Sequence, residues 1–509
     1  MMHGHEESDL AKVAEKSANK VEVTTAESME PRAGAKGKTV MPTTCRTPCR
    51  ESVSPGLDRL RQTAREHRNE RFTALLHHMD IDLLTKAYHW LKRDAAVGVD
   101  GVTWQAYSAD LQANLADLHA RVHRGAYRAQ PSRRRMIPKP DGRERPLGIA
   151  SLEDKIVQRA LVEVLNAIYE DEFLGFSYGF RPGRNQHDAL DALAFGIKRT
   201  TVRWILDADI RAYFDTVDHE WLMRFVEHRI GDRRVLRLIR KWLKAGVIED
   251  GKLQATESGT PQGAVISPLL ANIYLHYVFD LWAHQWRKRY ASGHVMIVRY
   301  ADDIVCGFEY EVDARTFLAE LKVRMEGFAL SLHPEKTRLI EFGQFVAESR
   351  KRDGLGKPET FTFLGFTHIC GHTRRGTFML ERETRRDRMR TKLKDIKDQL
   401  RLKINESIPQ QGRWLRRIVQ GYFAYHAVPT NYRRLNSFRH YVMEIWLQTL
   451  RRRSQRTKLT WETMQRLARQ WLPMPGILHP WPDDRFAVKH PRWEPSARIA
   501  PARICAGGV

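Results

Sequence analysis

Val295-Met296-Ile297-Val298-Arg299-Tyr300-Ala301-Asp302-Asp303-Ile304-Val305-Cys306-Gly307-Phe308 decides the fold. Two apolar runs rich in β-branched residues meet at Ala301-Asp302-Asp303, which reads as two strands joined by a tight hairpin. Flanks this apolar do not face water, so the hairpin belongs inside a sheet and carries adjacent carboxylates at its tip. Two acids crowded there repel each other and cost stability unless a cation neutralises them. An Asx-type turn needs only one Asp, so the pair favours a metal-binding reading over a plain turn.

A second acidic stretch lies upstream, Val202-Arg203-Trp204-Ile205-Leu206-Asp207-Ala208-Asp209-Ile210. Strand alternation puts Asp207 and Asp209 on the face opposite Trp204, Leu206, Ala208 and Ile210. Taken alone, this is equally well an ordinary half-buried strand. Taken with the hairpin, Asp209, Asp302 and Asp303 can hold two Mg²⁺ ions, or Mn²⁺ in their place, about 3.5–4 Å apart, which suits in-line phosphoryl displacement. Asp209 and Asp302 are expected to bridge the ions, Asp303 to be peripheral, and the backbone carbonyl of Ile210 to add an oxygen ligand. Between the two stretches, Ser258-Gly259-Thr260-Pro261-Gln262-Gly263 is a turn-rich loop leading into the apolar run Ala264 to Leu275. Its glycines permit close backbone approach to a nucleotide or template, as they would in a plain strand-to-helix turn. From Arg133 to Ile149, Pro140-Asp141-Gly142 separates two short runs, a hairpin signal that the prolines assign to a sheet edge. Lys139 and Arg145 there are candidates for gripping a triphosphate; simple surface charge explains them equally well without the other motifs.

The 509 residues carry 85 Lys and Arg against 61 Asp and Glu, a net charge of +24 with a pI near 9.9. Such a balance favours a polyanionic partner, because each phosphate neutralised releases a condensed counterion. The charge is concentrated: Arg385 to Lys458 holds 20 Lys and Arg against 5 Asp and Glu, a local net of +15. Apolar residues step by three and four through the same stretch, at Met389, Leu393, Ile396, Leu400 and Ile404 and again at Leu435, Phe438, Val442 and Ile445, so it reads as amphipathic helices. Their basic faces form a groove wall for nucleic acid, with Arg385, Arg388, Lys392, Arg451, Arg452 and Arg453 as candidates. Five cysteines (Cys45, Cys49, Cys306, Cys370 and Cys505) are too few and too scattered for a disulfide framework or zinc module. Nothing approaches the ~20 apolar residues of a membrane span, and the N-terminus has no apolar core of a secretory signal. The expectation is a cytoplasmic protein without a membrane partner.

Along the chain, residues 1–56 read as a flexible polar lead-in. Residues 57–124 are helical, with apolar residues at helical spacing from Leu57 to Leu91 and again from Leu111 to Val122. Strands and helices then alternate over 125–368, opening with a helix from Leu152 to Ile168. The basic helical segment covers 385–455, and 456–509 is a short basic tail expected to contact nucleic acid. The fold class is α+β.

Tyr300-Ala301-Asp302-Asp303 resembles the YxDD signature of reverse transcriptases. It lies about ninety residues after a D-x-x-x-x-F element, Asp209 to Phe214, with the Pro-Gln-Gly loop between. Several segments resemble the enzymes encoded in group II introns: Gly98-Val99-Asp100-Gly101-Val102, Phe180-Arg181-Pro182-Gly183-Arg184, Leu332-His333-Pro334-Glu335-Lys336-Thr337, Phe363-Leu364-Gly365-Phe366 and Gly421-Tyr422-Phe423. The resemblance covers roughly residues 57 to 480. It implies a right-hand polymerase, with fingers and an antiparallel palm sheet over 125–368, a helical extension of the fingers before it, and an α-helical thumb, or maturase (X), domain over 385–455. It implies that Phe214 is a steric gate against a ribose 2′-hydroxyl, that Gln262 contacts the incoming nucleotide, that Lys336 protonates pyrophosphate, and that Leu364 and Gly365 belong to a primer grip. The implied partners are group II intron RNA, a DNA target or primer and dNTPs; self-association into a homodimer is left open. Many such enzymes end in a His-Asn-His endonuclease with paired cysteines. Beyond Trp481-Pro482 only Cys505 occurs here, so no such nuclease is expected.

Three other readings remain. The chain is an RNA-binding maturase that no longer polymerises, a different bacterial reverse transcriptase, or an RNA-dependent RNA polymerase. Intact acids at Asp209, Asp302 and Asp303 speak against the first and the basic helical segment against the second. The aromatic residue at 214, and Ala rather than Gly before the Asp pair, speak against the third.

Overall fold

The structure is a computed structural model and describes residues 54–138, 144–249, 252–254, 258–260, 263–453 and 459–489. The expectations for the polar lead-in with Cys45 and Cys49, for Lys139 and the Pro140-Asp141-Gly142 turn, for Gln262 and for Cys505 lie outside the described residues.

Local signals set the first helices. Ser54 caps the helix Pro55–Glu66, which starts with proline at its first turn. Asp80 caps Ile81–Trp90, its carboxylate accepting from Leu83 N at 2.7 Å. The periodic run from Leu57 to Leu91 is therefore two helices. Between them the backbone is bonded elsewhere: Leu75 N and Leu76 N donate to the Asp232 carboxylate, and Phe72 N to Arg229 O. Leu152–Tyr169, capped by Ser151, is buried on most sides.

Three sheets follow. The first joins β1 (Ser132–Pro138), β2 (Glu144–Ile149), β4 (Val247–Glu249) and β5 (Lys252–Gln254) in the order β2-β1-β4-β5, with β1 and β4 parallel. The prolines of the 133–149 hairpin thus leave β2 at the edge, while β1 lies inside. The second sheet is wholly antiparallel and joins β3 (Trp204–Asp209), β6 (Val295–Tyr300), β7 (Asp303–Phe308) and β8 (Arg338–Glu341) in the order β6-β7-β3-β8. The third, β11-β10-β9, is built from Phe361–Phe363, Phe366–His372 and Phe378–Thr384 in sequence order.

One apolar core runs through the helices and the second sheet, taking in Leu161, Leu193, Ile205, Ile297 and Val305. A separate core joins the helices Arg386–Leu402, Ile408–His426, Tyr432–Arg451 and Trp461–Trp471. Tyr422 stacks on Phe438 there with ring centroids 3.6 Å apart. Ile404 lies past the end of its helix, which stops at Leu402. The segment after 455 is not a separate tail throughout: Met464 and Ala468 complete the second core. The helix Pro482–Lys489 lies against Gln186–Arg199, where Asp483 pairs with Lys198 at 2.5 Å and Arg485 with buried Asp191 at 2.6 Å. Among the described residues no helix is long and apolar enough to cross a membrane.

His368, on β10, is fully buried and stacked on Phe361 at 4.7 Å. Burial, and then the charge of Arg382, push its pKa down to about 3. The unfolded chain binds that proton below its ordinary pKa and the folded chain does not, so stability falls with acid. Acidification from pH 7.5 to 5 is expected to cost about 2 kcal/mol through this group. In His368→Phe that share of the loss should vanish, as read from denaturant midpoints at the two pH values; an unchanged acid sensitivity would place the cause elsewhere.

Candidate active site

The acidic residues meet through backbone register. β3 pairs with β7 so that Asp209 is the partner of Asp303, and β6 pairs with β7 so that Tyr300 is the partner of Asp303. Ala301 and Asp302 form the two-residue turn between β6 and β7. Ala301 has φ 55°, a left-handed conformation unusual for a residue with a Cβ and strained where it occurs. Partners across an antiparallel pair stand about 4.5–5.5 Å apart at Cβ, so Asp209 and Asp303 are neighbours, with Asp302 next in the chain. All three are buried, Asp302 completely. Asp207, two residues back on β3, is pushed up to about 7 by burial and then by the charge of Asp303.

A second segment closes the site from the other side of β3. Ile210 bridges to Leu332, His333 N donates to Asp209 O at 2.8 Å, and Arg211 N to Ser331 O at 2.8 Å. This brings Lys336 onto the acids: its Nζ lies 3.0 Å from Asp209 Oδ2.

Among the described residues no three His, Cys, Asp or Glu side chains form a ready-made metal cage. That is compatible with Mg²⁺, which takes one or two carboxylates together with waters and substrate phosphates rather than a cage made of protein alone. The donors are hard carboxylate oxygens held together and buried, so the chemistry of the set fits a divalent cation.

The Gly-rich loop docks on the segment after Asp209. Thr260 N donates to Phe214 O at 2.8 Å and Gly259 N to Val217 O at 2.8 Å. Phe214 lies 6.5 Å from Phe180, edge to face, and is 2% exposed; in this conformation its ring packs in the core. Tyr213 is equally buried and donates its hydroxyl to Ala271 O at 2.6 Å. Arg145 sits on β2. Leu364 and Gly365 form the two-residue turn between β9 and β10, both at positive φ. Leu364 O accepts from the Tyr425 hydroxyl at 2.8 Å, and Gly365 O from Arg385 N, which ties this turn to the helical unit.

The basic candidates belong to that helical unit. The Arg385 side chain pairs with Asp387 at 2.5 Å. Arg388 and Lys392 are half-buried on the Arg386–Leu402 helix. Arg451 donates to Leu459 O and Arg453 to Glu406 O, so both help close the bundle, while Arg452 is exposed. In Phe180–Arg184 the arginines also serve the fold: buried Arg181 holds Glu170 and the carbonyls of Leu174 and Ser177.

Sequence reasoning passed over Arg299, Asp280, Asn272 and Ser177. They form a buried polar cluster directly beneath the Ala301 turn. The available signal was a lone arginine inside an otherwise apolar strand, which stays buried only when its charge is matched.

The reverse transcriptase (RNA-dependent DNA polymerase) family matches residues 137–368. The chain is 44% identical over 297 residues to Protein YkfC of Escherichia coli, covering 50% of this chain and 77% of that protein. It is 37% identical over 224 residues to the group II intron-encoded protein LtrA of Lactococcus lactis, 43% of this chain and 37% of that protein. It is 26% identical over 434 residues to the putative COX1/OXI3 intron 1 protein of Saccharomyces cerevisiae, 72% of this chain and 51% of that protein.

Gly259 has φ 83°, and a Cβ on it would stand 2.8 Å from Phe214 O. Gly259→Ala is expected to destabilise the protein by about 1–3 kcal/mol through strain, measured by denaturant unfolding. Wild-type stability in that variant would show that the loop does not need its contact with Phe214.

Proposed function

Because the chain belongs to the reverse transcriptase (RNA-dependent DNA polymerase) family, as a relative of the group II intron-encoded enzymes, we propose that it copies intron RNA into cDNA in the cytoplasm and assists splicing and retrohoming of that RNA. The observation that carries the polymerase reading is the strand pairing of Asp209 with Asp303, beside Asp302 in the turn. In this reading the second sheet is the palm, the first sheet with the helices around it the fingers, and the basic four-helix unit the thumb.

Asp209 and Asp302 would hold two Mg²⁺ ions, or Mn²⁺, with the Ile210 carbonyl as an extra ligand and Asp303 at the periphery; such ions would supply Lewis acidity for the attack of a primer 3′-hydroxyl on the α-phosphate, with pyrophosphate leaving. Lys336, already at hydrogen-bond distance from Asp209, gives its proton to the leaving pyrophosphate. Lys139 and Arg145 bind the triphosphate, Gln262 contacts the incoming nucleotide, and Phe214 is the gate against a 2′-hydroxyl. Leu364 and Gly365 hold the primer end. Arg385, Arg388, Lys392 and Arg451 to Arg453 line the RNA side, where their charge accounts for salt-dependent binding.

Asp302→Ala combined with Asp303→Ala should abolish cDNA synthesis on a primed RNA template and leave RNA affinity within about twofold, since phosphate contacts carry that affinity. Residual polymerisation in the double variant is the result that defeats this assignment. Phe214→Ala should raise ribonucleotide incorporation relative to deoxynucleotide; an unchanged ratio puts the gate at another residue.

A further inference from the structure

Arg299 occupies the last position but one of β6 and is fully buried. A guanidinium has five N–H groups, and here each has an acceptor. Nε and Nη2 form a two-pronged pair with Asp280 at 2.7 and 2.6 Å. Nη2 also donates to Ser177 Oγ at 2.7 Å. Nη1 donates to Asn272 Oδ1 at 3.0 Å and to the carbonyl of Ala301 at 2.9 Å.

That last bond sets the chemistry apart from ordinary core packing. The Ala301 carbonyl belongs to the peptide that leads into Asp302, and Ala301 is the residue held at φ 55°. Clamping this peptide plane fixes the direction in which Asp302 leaves the turn. The acceptors are themselves held. Asp280 ends a π-helical turn, His276–Asp280, a local irregularity that often marks functional positions. Asn272 lies on the Ser267–Leu275 helix that follows the Gly-rich loop, and its Nδ2 donates to Gly179 O at 2.6 Å. Gly179 in turn lies so close to the turn that a Cβ on it would stand 2.2 Å from Ala301 N.

We propose that Arg299 and Asp280 are a positioning pair: through the Ala301 carbonyl they aim the Asp302 carboxylate, and they couple that aim to the helix behind the Gly-rich loop. Neither residue touches substrate. The inference rests on Asp302 being a metal ligand. A buried pair is a costly way to stabilise a fold, because desolvation offsets most of its attraction. The fifth N–H, spent on a strained turn, is what such a pair gains here.

The test is Mn²⁺ affinity, measured by electron paramagnetic resonance on the full chain, beside the melting temperature and kcat for cDNA synthesis. Arg299→Lys keeps the charge opposite Asp280 but cannot span Asp280 and Ala301 together. It is expected to weaken Mn²⁺ binding about tenfold or more, as loss of a group orienting a metal ligand does, and to lower kcat with RNA affinity unchanged. Wild-type Mn²⁺ affinity in a folded Arg299→Lys protein overturns the inference. Should that variant fail to fold, Ser177→Ala removes one acceptor from the guanidinium. It should weaken Mn²⁺ binding about tenfold in a protein that still folds, its melting temperature lowered by the unpaired buried N–H, and unaltered affinity overturns the inference in the same way. Asp302→Ala separates the two levels: if it too binds Mn²⁺ like the wild type, the metal reading itself fails. If it loses Mn²⁺ while Arg299→Lys does not, only the positioning role fails.

Discussion

Negative charge held together away from water is the constraint that organises this protein. Asp207, Asp209, Asp302 and Asp303 lie within two adjacent strands and one turn, and the second sheet buries them at least in part. Carboxylates so placed lose hydration and repel one another, and that burial, with the charge of Asp303 after it, pushes the Asp207 carboxyl up to about 7. The fold resists that repulsion with backbone. Six paired positions between β3 and β7, six between β6 and β7 and the bonds from His333 and Arg211 set where the acids stand. Lys336 meets Asp209 directly, and Arg299 bonds the Ala301 carbonyl beneath the turn.

The surrounding parts connect to that centre. The Gly-rich loop is bonded to the segment carrying Phe214, and the helix behind it supplies Asn272 to the guanidinium of Arg299. The turn at Leu364-Gly365 is bonded to Tyr425 and Arg385 of the basic helical unit. The C-terminal helix returns to Gln186–Arg199 through Asp483 and Arg485. In the proposed function an RNA passes a fixed chemical centre, and such ties hold that centre in place, since small displacements of reacting groups cost rate steeply.

Much of this was legible in the chain. Apolar runs flanking Ala-Asp-Asp gave the β6–β7 hairpin, alternation around Asp207 and Asp209 gave β3, and periods of three and four gave the basic helices. Those signals are local, and burial of one face enforces them. Less legible was anything decided by partners distant in sequence. The break between Pro55–Glu66 and Ile81–Trp90 depends on Asp232 and Arg229, more than a hundred residues away. The return of 461–489 onto two different parts of the molecule depends on Met464, Asp483 and Arg485 finding partners that no local pattern announces. The role of Arg299 depends on five acceptor atoms spread from Ser177 to Ala301, which no local pattern announces.

The proposed chemistry requires Asp209 and Asp302 to hold a pair of divalent ions during nucleotide addition. Electron paramagnetic resonance of the Mn²⁺-loaded protein, with primed RNA template and a non-reacting dNTP analogue, tests it most directly. Two ions about 4 Å apart give an exchange-coupled spectrum, which should disappear in Asp209→Asn. A spectrum of isolated, uncoupled Mn²⁺ in the complete complex would contradict the account.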